Sequence, residues 1–352
     1  MREEFMKGCE ALGEALVLAG CRCYFGYPIT PSSDLLEYLS WRMFQVPDGV
    51  FLQVESELAA INMVYGAAAT GKRTATGSSG PGISLMQEGI SYLCAAEIPC
   101  MIINISRSGP GLGGITSSQA DYFQATRGGG HGDYRTIVLA PSTVQEMVDL
   151  VSPAFTLAEE YRNPVVILAD AMLGQMYESV RIPPPVEKIP EKPWALTGAA
   201  NRPRNKMPMF HMNAEDGERI NLELMEKYRR MVQREKRFEL WGDQTDDLLI
   251  VAFGTTARIC KSVVEDAFQE GIRVGLFRPI TLYPFPYEAL KEAAQKAKKV
   301  LVVEMSAGQM IDDVRIAIAG LKDIEFYARV GGVVPTRKEI SGRVREIAGP
   351  TR

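Results

Sequence analysis

Four short turns hold most of the chemistry open to this chain: Tyr27-Pro28-Ile29-Thr30-Pro31, Glu55-Ser56-Glu57, Ser78-Ser79-Gly80-Pro81-Gly82 and Arg107-Ser108-Gly109-Pro110-Gly111. Each follows a short apolar run, and three of them precede residues with helical spacing. In a parallel α/β sheet these turns fall at the carboxyl edge of the strands, where ligands bind. Four at one edge read as a wall of a cofactor site. Glu57 is the candidate acid. Its neighbours Val54, Leu58, Ala59, Ala60 and Ile61 are apolar, and a carboxyl in such surroundings can exchange a proton near neutrality. The competing reading is a first-turn glutamate that complements the helix dipole, with Ser56 as the cap.

Thr30 before Pro31 fits ordinary helix-start grammar, a capping hydroxyl followed by proline at the first helical position. The same hydroxyl is also placed to face a polar ligand. Ser79, Gly80 and Pro81 form a tight strand-to-helix turn whose glycine lets the backbone approach a planar or charged group. Arg107 stands where a guanidinium can clamp a carboxylate, or it is a plain loop arginine.

Gly109-Pro110-Gly111-Leu112-Gly113-Gly114 satisfies the dinucleotide-binding pattern, which would suit a nicotinamide-dependent dehydrogenase. Proline occupies its second place, no helix is expected over Ile115–Gln119, and the first strand lacks the pattern. The match therefore counts for little. Phosphate-loop, serine-elbow and paired-histidine metal motifs are absent from the sequence. So is a Gly-Asp-Gly segment followed by an asparagine, of the kind that holds magnesium and a diphosphate.

The elements that must position these turns alternate regularly. Helical spacing over Gly8–Ala19 stops at Gly20. Strands are expected at Cys21–Gly26, Val50–Val54, Arg73–Thr76, Cys100–Ile105, Thr136–Ala140 and Val165–Ala169. Helices are expected at Pro31–Met43, Glu57–Thr70, Ile83–Ala95 and Thr143–Tyr161. Such alternation predicts a mainly parallel sheet covered on both faces. Ser106–Arg135 breaks the rhythm as a glycine-rich segment that contains Gly128–Asp133 and one of the two histidines, His131. Unstructured stretches of this length in compact domains are usually functional.

From Ile182 to Asn205 proline, lysine and glutamate dominate, as in a linker. A charged helix over Glu218–Leu240 follows. Strands at Leu248–Ala252, Val274–Phe277 and Val300–Val303 then alternate with helices at Thr256–Gln269, Tyr287–Lys298 and Gln309–Ala319. The expected division is 1–182, 183–246 and 247–352.

With 352 residues, 46% hydrophobic and 23% charged, the chain has the composition of a globular protein with more than one domain. A net charge of −4 argues against nucleic acid as the main partner. No apolar run approaches a bilayer span, and the start, Met1-Arg2-Glu3-Glu4, lacks a secretory core. The six cysteines form no CxxC pair, so zinc or iron–sulfur ligation by this chain alone is not expected. These features predict a cytoplasmic protein in a reduced compartment.

In this order the motifs resemble the alpha subunit of 2-oxoacid:ferredoxin oxidoreductases, which use thiamine diphosphate. The resemblance runs through Tyr27–Ser33 (YPITPSS), Glu55–Ala60 (ESELAA), Ser79–Glu88 (SGPGISLMQE), Gly129–Asp133, Trp194–Gly198 (WALTG), Arg278–Pro286 (RPITLYPFP) and Val303–Gln309 (VEMSAGQ). It lies nearest the branched-chain, 2-oxoisovalerate type. It implies an α/β fold with a pyrimidine-side thiamine diphosphate domain and a transketolase C-terminal-like α/β domain. Glu57 then matches the glutamate that hydrogen-bonds N1′ of the aminopyrimidine, Thr30 a residue beside substrate and cofactor, and Arg107 the ligand of the substrate carboxylate. Tyr27, Pro28, Ile29, Ser79, Gly80 and Pro81 would line the cofactor. Gly109–Thr116 departs from the family's GPSTG form, which leaves 2-oxoglutarate and pyruvate open as substrates, with Arg127 and Arg135 available for a distal carboxylate. The family reaction turns a 2-oxo acid and coenzyme A into an acyl-CoA and carbon dioxide, with electrons passing to ferredoxin. The resemblance implies a beta subunit with the magnesium–diphosphate site and 4Fe-4S clusters on partner subunits, one of them small and ferredoxin-like. The other classes open at this stage are the nicotinamide-dependent dehydrogenase and a non-catalytic scaffold.

Overall fold

The computed structural model describes residues 2–207, 210–242 and 247–348. Met1 and the expected boundary residue 246 lie outside the described residues. The first part of the chain comprises β1 (Arg2–Lys7), α1 (Gly8–Leu18), β2 (Cys23–Gly26), α2 (Ser33–Arg42), β3 (Val50–Gln53), α3 (Glu57–Ala69), β4 (Thr74–Ser78) and α4 (Pro81–Ala95). It continues through β5 (Met101–Ser106), α5 (Tyr122–Arg127), β6 (Ile137–Leu139), α6 (Val144–Asp149), α7 (Val151–Tyr161), β7 (Val165–Asp170), α8 (Ala171–Gln175) and β8 (Tyr177–Ile182). The remainder holds α9 (Ala214–Arg234), β9 (Phe238–Trp241), β10 (Leu248–Val251), α10 (Gly254–Gln269), β11 (Val274–Pro279), β12 (Thr281–Tyr283), α11 (Tyr287–Gln295), β13 (Lys299–Glu304), α12 (Met310–Ile318), β14 (Ile324–Ala328) and α13 (Arg337–Ala348).

Runs such as Met101–Ser106 and Val165–Asp170 are buried at every position, because helices cover both faces of a parallel sheet. The larger sheet has seven strands in the order β12-β6-β7-β5-β4-β2-β3, and every pair is parallel except β12 with β6. Ile61, Val64, Met86 and Ile90 of α3 and α4 pack on one face, Leu12, Leu16, Phe155 and Ala158 of α1 and α7 on the other. The second sheet, β14-β13-β10-β11-β9, is parallel except for β9. The two sheets are joined covalently and by pairing. β12 follows directly on β11 yet pairs with β6 of the larger sheet, and Ala140 N donates to Ile280 O at 2.8 Å.

Three local expectations change. The helix expected over 143–161 divides at Leu150 into α6 and α7. The charged helix starts earlier, at Ala214, and ends at Arg234; Phe238–Trp241 is instead a strand that pairs antiparallel with β11. Three bulky apolar residues in four favour a sheet edge once a partner strand is available. Thr30 is not a helix cap: its bond to Pro31 is cis and α2 begins at Ser33.

Candidate active site

Tyr27–Thr30 follow β2, Glu57 follows β3, Ser79–Gly82 follow β4 and Arg107 follows β5. These four strands are neighbours in the sheet. From β2 the chain steps to β3 on one side and then to β4 on the other, so the connections diverge at β2. That is a topological switch point, where the crevice of an open α/β sheet lies.

The turn after β4 explains its own residue types. Gly80 has φ +52°, a left-handed value that disfavours other residues, and a Cβ there would come within 3.0 Å of Arg107 Nε. Pro81 takes the first position of α4. A Cβ on Gly82 would overlap Glu57 Oε1 and Ser78 Oγ. Glycine at 82 therefore leaves room for the carboxyl, and glycine at 80 leaves room for the guanidinium.

Glu57 is 4% exposed at the first position of α3. Ser56 caps that helix by accepting from Ala59 N at 3.2 Å. Among the described residues the Glu57 carboxyl has one hydrogen-bond partner, Ser78 Oγ, which donates to Oε1 at 3.1 Å. A carboxylate can accept about four hydrogen bonds, so most of its capacity is unused.

Arg107 is also buried. Its Nη1 donates to Thr30 O at 2.7 Å and its Nη2 to Leu112 O at 2.8 Å. Nε is buried without a hydrogen-bond partner. Ser79 Oγ donates to Ile105 O at 2.7 Å and ties the β4 turn to β5. Thr30, Arg107, Gly80, Gly82, Ser78 and Glu57 thus form one chain of contacts. Tyr27, Pro28 and Thr30 are exposed beside it, so the site is an open wall.

Ser106–Arg135 joins the wall to the second sheet. Gly109–Thr116 is an exposed tip closed at its stem, where Ser108 N donates to Thr116 O at 2.9 Å. Gln119 Nε2 donates to Phe253 O at 2.7 Å, while its Oε1 accepts from Met305 N at 2.9 Å. Tyr122 Oη donates to Asp313 Oδ2 at 2.6 Å, and Arg127 pairs with the same carboxylate at 2.8 Å. Arg135 donates to Tyr134 O and lies over the Tyr283 ring. The Gly128–Asp133 loop is held on α4, with Gly129 N donating to Gln87 Oε1 at 3.0 Å. Beneath the wall, Asn104 Nδ2 donates to Asp121 Oδ2 at 3.0 Å, and burial pushes the Asp121 carboxyl above the usual range.

Ser78, Gly82 and Gln119 belong to this arrangement and were not singled out from sequence. Ser78 and Gly82 stand inside a quoted motif, and their contact with Glu57 was the missing information. No local pattern marks Gln119, whose partners lie more than 130 positions away. All six cysteines are buried and free. Among the described residues no cluster of three or more His, Cys, Asp or Glu could hold a metal ion. None of the described helices is long and apolar enough to cross a membrane.

Residues 14–265 match the family model described as pyruvate flavodoxin/ferredoxin oxidoreductase, thiamine diP-bdg. Residues 246–340 match pyruvate:ferredoxin oxidoreductase core domain II. Ketoisovalerate oxidoreductase subunit VorB of Methanothermobacter marburgensis is 48% identical over 350 residues, 99% of each chain. 2-Oxoglutarate synthase subunit KorA of the same organism is 36% identical, over 97% of this chain and 98% of that one. The solved 2-oxoglutarate:ferredoxin oxidoreductase from Magnetococcus marinus superposes with a TM-score of 0.87 at 26% identity, covering 99% of this chain but only 65% of that one. With a family model over most of its length and a relative at 48% identity end to end, this chain belongs to the pyruvate flavodoxin/ferredoxin oxidoreductase family, in the part that carries the thiamine diphosphate-binding domain.

Proposed function

We propose that this chain is the alpha-type subunit of a 2-oxoacid:ferredoxin oxidoreductase acting on a branched-chain 2-oxo acid such as 2-oxoisovalerate, and that it supplies the aminopyrimidine side of a shared thiamine diphosphate site. The observation that carries the reading is the buried Glu57 carboxyl, packed against Gly82 and left with one hydrogen bond among the described residues. A ring with a basic nitrogen would use that spare hydrogen-bonding capacity. When bound, thiamine diphosphate supplies the acidic carbon at which a 2-oxo acid loses carbon dioxide.

This chain's residues then have distinct tasks. Glu57 holds a proton at the ring nitrogen N1′, and its burial keeps competing water away. Tyr27, Pro28, Ile29, Ser79, Gly80 and Pro81 would line the cofactor. Arg107, with Nε still unpartnered, takes the substrate carboxylate beside Thr30. The diphosphate with magnesium falls to a beta subunit, and 4Fe-4S clusters to partners that include a small ferredoxin-like subunit. Ferredoxin takes the electrons, coenzyme A takes the acyl group, and the assembly is cytoplasmic. The same reading divides the chain at 182 and 246 into a pyrimidine-side domain, a connector and a transketolase C-terminal-like domain.

The branched-chain preference has two supports. The 48% relative is named for ketoisovalerate, whereas the 2-oxoglutarate synthase subunit is 36% identical. Arg127 is paired with Asp313, and Arg135 donates to Tyr134 O and covers the Tyr283 ring. Arg127 is therefore not left for a distal carboxylate, whereas Arg135 has only neutral partners among the described residues. A substrate panel on the native assembly tests this. The expected result is a higher kcat/KM for 2-oxoisovalerate than for 2-oxoglutarate or pyruvate, with no turnover by the chain alone; preference for 2-oxoglutarate would overturn it.

A further inference from the structure

Between Pro193 and Ala214 stand Arg202, Arg204, Lys206 and His211 and no aspartate or glutamate, in a chain whose formal net charge is −4. This stretch is anchored against the C-terminal half of α3. Leu196 N donates to Ala69 O at 2.9 Å, Lys192 Nζ to Gly71 O at 2.8 Å, and the Arg162 guanidinium lies over the Trp194 ring at 4.9 Å. Beyond these anchors Tyr65, Leu196, Arg202, Arg204, Lys206 and Met207 line a cavity of about 640 Å³. That volume is typical of sites for cofactor-sized molecules.

Arg202 is held in place by neutral acceptors, Ala195 O and Pro203 O at 3.0 Å and Thr197 Oγ1 at 3.1 Å, so its charge is not neutralised. Among the described residues Arg204 and Lys206 form no ion pair, and the lining contains no carboxylate. Three like charges around one cavity repel one another unless an anion lies between them. Leu196 and Met207 add apolar surface, Tyr65 a partly exposed ring, and Asn205 an amide fixed by Pro193 O and Ala195 O. Cations, a ring face and apolar surface together suit phosphate groups attached to a flat heterocycle.

We propose that the cavity between α3 and residues 196–207 binds a nucleotide bearing two or more phosphates, with Arg202, Arg204 and Lys206 on the phosphates and Tyr65 against the base. The concave, ligand-sized shape favours a small molecule over an acidic protein surface. Tyr65 stands eight residues along α3 from Glu57, about 12 Å at the helical rise. A nucleotide held here can therefore extend a long arm toward the Glu57 wall, as the bisphosphate end of coenzyme A would, or it can be a free nucleotide acting as an effector.

The full-length chain and its native assembly are titrated calorimetrically with adenosine 3′,5′-bisphosphate, ATP, adenosine and inorganic phosphate. At least one of the two phosphorylated nucleotides binds, and adenosine does not. Arg204→Glu with Lys206→Glu weakens binding about tenfold or more, equivalent to roughly 1.4 kcal/mol. Tyr65→Leu weakens it several-fold, and Arg204→Lys with an unchanged unfolding midpoint retains it. In the assembly, a raised KM for coenzyme A at unchanged KM for the 2-oxo acid identifies coenzyme A as the source. An unchanged KM for coenzyme A with a rate that responds to ATP identifies a free nucleotide. Absence of nucleotide binding, equal binding of inorganic phosphate, or undiminished affinity in the double variant would overturn the proposal. So would a double variant that only loses a co-purifying subunit, which would make the face a protein interface. Absence of 2-oxo acid turnover in the parent assembly would instead sink the reading of Glu57 and leave these titrations standing.

Discussion

Glu57 and Glu304 are both buried glutamates at the carboxyl edge of a parallel sheet, and they are bonded in opposite ways. Glu304 ends β13 and is saturated: it accepts from Ser306 Oγ at 2.8 Å and from the backbone N–H groups of Gln309, Met310 and Ile311 at 3.1, 3.1 and 2.9 Å. It closes the start of α12 from below. Glu57 starts α3, accepts from Ser78 alone among the described residues, and packs against Gly82, where no Cβ could fit. A buried carboxylate held by four donors is a structural part. One with a single hydrogen bond keeps capacity for a ligand.

The largest expected difference is in rate. Glu57→Gln in the native assembly should cost about 10²–10⁴ in turnover, the range for losing one proton-transfer partner. Its unfolding midpoint should scarcely move, because one hydrogen bond is involved. Glu304→Gln should do the reverse. Backbone donors lose their partner in a buried site, so unfolding free energy should fall by about 1–3 kcal/mol while the folded fraction turns over normally. Denaturant titration beside steady-state kinetics separates the two outcomes, and equal behaviour of the variants would break the contrast.

Gly82→Ala lies between them. The added methyl overlaps the Glu57 carboxyl, so turnover should drop and stability should fall by roughly 1–3 kcal/mol, the usual cost of overpacking. Retained activity would show that the fit of the carboxyl against Gly82 does not matter to the reaction.

The smallest effects are in pH dependence. Burial raises the Glu304 carboxyl above its ordinary 4.5, against the hydrogen bonds that lower it. A raised group contributes stability that is present below the unfolded pKa and lost as pH rises through the folded value. Glu159 has the opposite sign. Burial opposes its ionisation, yet hydrogen bonds from Arg73 and Lys192 hold it below 4.5. Its contribution is present above the unfolded value and lost as pH falls through the folded one. Urea midpoints measured from about pH 3 to 7 should lose the acid limb in Glu159→Gln and gain relative stability toward acid with Glu304 intact.

Much of the wall was legible because its signals are local. Apolar runs ending in Ser-Gly-Pro-Gly or Glu-Ser-Glu mark strand ends, and the turn itself favours glycine at 80 through its positive φ. The parts not legible depend on distant partners. Thr281–Tyr283 carries no strand expectation in the sequence, yet it completes the other sheet because β6 offers an open edge. Phe238–Trp241 reads as the tail of a charged helix until β11 gives it a pairing partner. Gln119 looks like any polar loop residue, although its amide bridges Phe253 and Met305. The sequence marks Glu57 as a candidate acid and gives Glu304 no role, and the count of donors around each shows how differently the two are bonded.

The most direct measurement is the structure of the native assembly with thiamine diphosphate bound. The expected result is a Glu57 carboxylate oxygen within about 2.6–3.2 Å of the aminopyrimidine ring nitrogen, with the diphosphate held by another chain. A Glu57 side chain turned away from the ring, or a diphosphate gripped by this chain, would contradict it.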